Sequence, residues 1–85
     1  RELYDLTAVD YVYRSFGRPD AVALPELTAL QARALAASGE FPAGSMGPKI
    51  DAALDFLTSG QRVLITSLPR LGDALAGRCG TWITR

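Results

Sequence analysis

The stretch GPKIDAALDFLTSGQRVLIT, residues 47–66, joins a helical pattern directly to the pattern of a buried strand. Its apolar side chains recur at i, i+3, i+4 and i+7, which predicts one apolar stripe along a helix: Ile50, Ala53, Leu54 and Leu57. We expect this helix to run from about Met46 or Pro48 to Ser59 and to stop at Gly60. The nearly continuous apolar run at 62–66 is typical of a strand that is covered on both faces.

Further elements are predicted on either side of this stretch: a strand at 2–9, an extended piece with a turn at 10–20, a helix at 29–38, a short helix at 68–76 and a strand at 81–84. Thr28 and Gln31 have the spacing of a capping box at the start of the first helix, and Gly39 suits the left-handed position after its end. Ser67 is expected to cap the short helix.

Strands that alternate with helices predict an α/β fold with a largely parallel sheet and helical crossovers. In such sheets ligands bind beyond the carboxyl ends of the strands. Here these ends are LTAV, at 6–9, and TSL, at 66–68.

The composition excludes several classes of protein. A chain of 85 residues forms at most one small domain, and a hydrophobic fraction of 48% excludes a disordered one. Nine acidic and nine basic residues cancel, so no overall field attracts nucleic acid. With no histidine and only Cys79, we predict neither a metal site nor a disulfide. The sequence contains neither an apolar run long enough to cross a membrane nor a secretory signal, and we expect a cytoplasmic protein. Its start at Arg1 suggests a fragment.

The chain's only lysine, Lys49, lies in the first turn of the predicted helix, where a positive charge opposes the helix dipole. Gly44 and Gly47 allow close approach of a ligand, and Pro48 suits a first turn. One hypothesis is that lysine and helix amides together bind an anion such as phosphate. The alternative is that Lys49 extends into solvent and the glycines only shape a loop.

The segment LTAVDYVY at 6–13 offers a hydroxyl, Thr7, at a strand end, with aromatic rings close by. Tyr11, Tyr13 and Phe16 could stack on a base, or they could simply fill the core. Asp10 could support a metal or a ribose hydroxyl, or it could cap a turn and face water.

Several motifs together resemble the C-terminal part of carbamate kinases, within the amino-acid kinase family. They are LTAVDYVYRSFGRPD, FPAGSMGPK with the following AAL, ITSL, and a closing Gly80–Thr81 pair, in the family's order and spacing over essentially the whole chain. The resemblance implies a three-layer α/β/α fold, ATP/ADP and Mg²⁺ as cofactors, and a cytoplasmic homodimer of arginine metabolism.

The resemblance also implies roles for single residues. Lys49 would reach the phosphates and stabilise charge during phosphoryl transfer to carbamate or a related carboxylate-type acceptor. The residues implied to lie around the nucleotide are Thr7, Ala8, Val9, Tyr13, Gly44, Ser45 and Met46.

Two features depart from the family's pattern. Asp5 stands where related strands are usually apolar, which makes the packing of the first strand uncertain. The family's acceptor-binding half and its other catalytic residues are expected upstream, so these 85 residues alone are expected to be inactive. The alternatives to a part of a kinase are a non-catalytic nucleotide-binding or subunit-interaction module and an inactive fragment.

Overall fold

A computed structural model describes residues 2–14, 19–41 and 46–85. Its main sheet contains four strands in the spatial order β1-β5-β6-β4: β1 (Glu2–Thr7), β4 (Glu26–Thr28), β5 (Arg62–Ser67) and β6 (Thr81–Thr84). The pairs β1/β5 and β4/β6 are parallel and β5/β6 is antiparallel, so the sheet is mixed but largely parallel. A separate antiparallel pair is formed by β2 (Val12–Arg14) and β3 (Val22–Leu24).

The sequence-based prediction missed two of these strands. The predicted order went from a loop at 10–20 directly to a helix, whereas the structure places β3 and β4 between them. Each of the two strands has three residues, and Pro25 separates them. Three residues are too few to show a period of two, so only the partner strands reveal these segments as strands.

The first helix, α1 (Ala29–Ala37), begins at the predicted residue and ends one residue before the predicted end, with Ser38 as its C-cap. The Thr28 hydroxyl accepts from the Gln31 amide at 3.1 Å, and the Gln31 side chain accepts from the Thr28 amide at 2.9 Å. At the other end Gly39 has a φ of +84°, and the amides of Gly39 and Glu40 donate to Ala36 and Leu35. These bonds form a capping box and a Schellman motif, which satisfy backbone groups that a helix end leaves unpaired.

The second helix, α2 (Met46–Phe56), confirms the predicted apolar stripe. Its residues Ile50 and Ala53 are fully buried, and Leu57 follows in the turn after the helix with 3% exposure. With α1 they cover one face of the sheet, where Val63, Ile65 and Ile83 complete the main core. No helix within the described ranges is long and apolar enough to cross a membrane.

The opposite face of the sheet is covered by a 3₁₀ turn (Leu68–Arg70) and a short helix, α3 (Leu71–Leu75). Ala74 and Cys79 pack there against Leu64 of β5, which forms a second, smaller core. Helices therefore lie on both faces, and the predicted three-layer α/β/α architecture is confirmed. The predicted capping bond of Ser67 is wrong: Ser67 occupies the N-cap position of the 3₁₀ turn, but its side chain makes no capping bond.

Candidate functional site

Lys49, in the first turn of α2, lies beside the centre of β1 rather than free in solvent. Its Nζ atom is 3.8 Å from Oδ1 of Asp5, and the two side chains are 32% and 21% exposed. The carboxylate offsets the unfavourable meeting of a lysine with the positive end of the helix dipole. The pair also accounts for Asp5, whose apolar neighbours in β1 had left its packing uncertain.

The side chains of β1 alternate between the two faces of the sheet. Leu3 packs against the main core under α1 and α2, so Asp5 and Thr7, at i+2 and i+4, are on that same face. Thr7 is the last residue of the strand and is half-buried. Ala8, exposed, and Val9, half-buried, form the bend beyond it. The structure thus places Lys49 and Thr7 on one side of one strand, towards its carboxyl end.

A polar cluster connects the carboxyl ends of the parallel strands β1 and β5. Ser67, at the end of β5, donates a hydrogen bond to the carboxylate of Asp10, which follows β1. Arg70 lies 3.6 Å from the other carboxylate oxygen. Asp10 is thus paired with Ser67 and Arg70, while its side chain remains 38% exposed to solvent. The strand-end position of both segments predicted that they would meet, but no spacing in the sequence indicated that Arg70 would join them.

Arg70 also contacts Asp73 of α3, at 3.2 Å, and Arg78 contacts the other oxygen of the same carboxylate at 3.1 Å. These two guanidinium groups, Arg78 first, hold the pKa of Asp73 below its ordinary value of 3.8. These ion pairs connect α3 to the bend after β1, and so they restrain α3 beside the carboxyl end of that strand.

Two tyrosines at the β2/β3 pair, Tyr13 in β2 and Tyr11 just before it, are both half-buried. Their rings meet edge to face with centroids 6.1 Å apart. Tyr11 packs against the smaller core. Tyr11 thus packs on the edge of a core, while both tyrosines keep part of their surface open to solvent. Phe16 lies outside the described residues.

Of the glycine-rich segment before α2, Gly44 and Ser45 lie outside the described residues. Met46, the first residue of the helix, is half-buried and packs against the main core. The first turn of α2 contains no acidic residue, so Lys49 and the helix dipole carry the same sign towards that end. This is the charge distribution that an anion would complement.

No group of three or more metal-ligating side chains is found in the described part of the chain. The carboxylates of Asp5 and Asp10 are already engaged by basic partners. These two carboxylates could therefore bind a metal ion only by giving up their basic partners.

Comparison with known proteins gives consistent results. The sequence pattern of the "Amino acid kinase family" matches residues 1–67. A carbamate kinase of Staphylococcus haemolyticus is 48% identical over 99% of this chain and 28% of its own length. One from Halobacterium salinarum is 45% identical over 96% of this chain and 27% of its own length.

Among solved structures, a carbamate kinase from Giardia lamblia bound to AMP-PNP superposes with a TM-score of 0.90 at 42% identity. The superposition covers 98% of this chain and 27% of that one. The chain thus spans about a quarter of the length of the relatives it matches. Because the family pattern matches most of the chain and the fold agrees with that of a carbamate kinase, the chain belongs to the amino acid kinase family.

Proposed function

We propose that this chain is the C-terminal, ATP-binding part of a carbamate kinase-like phosphotransferase that moves phosphoryl between ATP/ADP and carbamate or a related carboxylate-type acceptor. The observation that carries the proposal is the place of Lys49. The only lysine of the chain lies at the start of α2, beside β1, in a fold shared with a carbamate kinase that binds AMP-PNP. We also propose that the intact enzyme is a cytoplasmic homodimer that acts in arginine metabolism.

In this proposal Lys49 faces the phosphates of the nucleotide. Phosphoryl-transfer transition states spread negative charge over the equatorial oxygens of the transferred group. A compact ammonium on a flexible stem is suited to follow that charge. Asp5 restrains the ammonium from one side before nucleotide binds, so Lys49 exchanges one anionic partner for another. The remaining proposed contacts to the nucleotide come from the end of β1 and the bend after it, from β2, and from the segment that leads into α2: Thr7, Ala8, Val9, Tyr13, Gly44, Ser45 and Met46.

Mg²⁺ would enter with the nucleotide and would neutralise phosphate charge when bound. Since the carboxylates of Asp5 and Asp10 are engaged by Lys49 and Arg70, the ion's ligands beside these residues would be phosphate oxygens and water. Lys49 and the amides of α2 would supply the protein's share of the charge compensation.

The test is Lys49→Ala in the protein that carries this chain, measured as kcat/KM for ATP-dependent phosphoryl transfer. We expect a loss of at least about 100-fold, or about 2.7 kcal/mol, because the lysine acts on charge that develops in the transition state. Arg33→Ala, which removes an exposed positive charge from α1, is the matched control. A Lys49→Ala variant within about threefold of wild type would show that the assignment is wrong.

Calorimetry with ADP separates the alternatives. Binding of ADP together with phosphoryl transfer supports the kinase. Binding of ADP without transfer in the protein that carries this chain supports a nucleotide-binding module. The absence of both binding and a cooperative unfolding transition in these 85 residues supports an inactive fragment.

A further inference from the structure

The Gly80–Thr81 pair joins the β2/β3 hairpin to the main sheet. The Thr81 hydroxyl accepts a hydrogen bond from the Val12 amide at 2.8 Å and donates one to the Leu24 carbonyl at 2.5 Å. Val12 and Leu24 face each other in the register of the hairpin. One hydroxyl of β6 therefore bonds both strands of the hairpin at their facing pair.

This hydroxyl lies in the interior of the molecule. Thr81 and Val12 are both completely buried, so neither polar group has water as a substitute partner. A buried amide left without a partner is costly, which makes the position of the hydroxyl a constraint on the hairpin.

Gly80, the residue before Thr81, allows the backbone to pack closely against the smaller core at this point. Its φ is +82°, and a Cβ atom at this position would lie 3.0 Å from carbon atoms of Ala74 and Leu64. Only glycine combines this backbone conformation with such close packing on the smaller core. Thr81, the first residue of β6, follows this glycine directly.

We infer that Thr81 is a positioning residue for the nucleotide base. Its hydroxyl holds the β2/β3 hairpin against the main sheet, and this hairpin carries Tyr13, the residue that follows Val12. The inference rests on the proposed function, since Tyr13 is proposed there to enclose the base. Thr81 itself would not touch the nucleotide. The phosphate end of the site, at Lys49, is on a different element and does not depend on this anchor.

The adjacent strand offers a matched control. Thr66 in β5 is also a fully buried threonine, but its hydroxyl has no hydrogen-bond partner among the described residues. Thr66→Val and Thr81→Val make the same chemical change at the same burial, and only the second removes hydrogen bonds. We expect Thr66→Val to leave the hydrogen-exchange protection of the Val12 amide as it is in wild type.

The experiment measures binding of ADP and of tripolyphosphate, with amide hydrogen exchange at Val12, in the protein that carries this chain. For Thr81→Val we expect about tenfold weaker ADP binding, about 1.4 kcal/mol, and faster exchange at Val12. Tripolyphosphate affinity should stay within about twofold, because it has no base to place. Thr81→Ser, which keeps the hydroxyl, should restore ADP binding and the protection of Val12. A general loss of stability would weaken both ligands together.

Unchanged ADP affinity in Thr81→Val, with protection at Val12 lost, would overturn the inference. So would an equal loss of affinity for ADP and tripolyphosphate. If Thr81→Val does not fold, Thr81→Cys replaces it, since a thiol is a weak donor and acceptor of similar size. Failure of both to fold, with Thr66→Val folded, would also overturn it, because the hydroxyl would then serve stability alone. Wild-type protein that binds neither ligand would refute the proposed function instead, while exchange at Val12 would still report whether the anchor exists.

Discussion

Asp5→Asn should lower the stability of the protein and at the same time raise its affinity for nucleotide. The substitution keeps the shape of the side chain and removes the charge that faces Lys49. In the free protein the ammonium then loses its partner. When nucleotide binds, its phosphates no longer compete with a carboxylate for the ammonium.

The magnitude follows from the geometry of the pair. At 3.8 Å, two unit charges attract each other by about 1 kcal/mol in bulk water and about 4 kcal/mol at an effective dielectric constant of 20. Solvent reaches both side chains, and holding them together costs side-chain entropy. We therefore expect the free energy of unfolding to fall by about 1 kcal/mol, and the dissociation constant for ADP to fall by about threefold to tenfold.

The assays are urea unfolding and ADP calorimetry at low and high salt, with a double-mutant cycle that includes Lys49→Met. Both effects should shrink in about 1 M salt, and the cycle should return a coupling of about 1 kcal/mol. Asp55→Asn, on the exposed side of α2 and six residues beyond Lys49, controls for the change in net charge. Weaker ADP binding by Asp5→Asn, or a coupling near zero, would refute this reasoning.

Three further predictions concern the fold. Thr28→Ala should cost about 1 kcal/mol in the free energy of unfolding, measured in urea, whereas Thr28→Ser should cost little because it keeps the capping oxygen. Gly80→Ala should lower the melting temperature far more than Gly39→Ala, since both have positive φ but only Gly80 lies against packed side chains; equal effects would contradict the packing. Because the folded pKa of Asp73 is depressed, its ion pairs stabilise the protein above about pH 4, and this contribution is lost as pH falls through the lower folded value. An acid-unfolding profile of Asp73→Asn should therefore be flatter below about pH 4 than that of wild type, and matching slopes would count against the Arg78 contact.

The helices and the long strands were predictable because their signals are local. The capping box before α1, Gly39 after it and the apolar stripe of α2 are each complete within a few residues of one segment. The middle of β5, residues 63–65, is apolar and fully buried because helices cover both faces of the strand. Such patterns can be recognised in the sequence without knowing which other segments pack against them.

The sequence by itself determined an α/β fold, the boundaries of α1 and the presence of a lone lysine at a helix start. The tertiary structure alone decided that Asp5 faces this lysine, that β3 and β4 are strands, and that Ser67 bonds Asp10 instead of capping a turn. It also decided that one hydroxyl, 69 residues from Val12, bonds both strands of the hairpin. The physical reason is range: a cap or a periodic stripe is complete within one segment, whereas an ion pair or a three-residue strand exists only after distant segments have packed together.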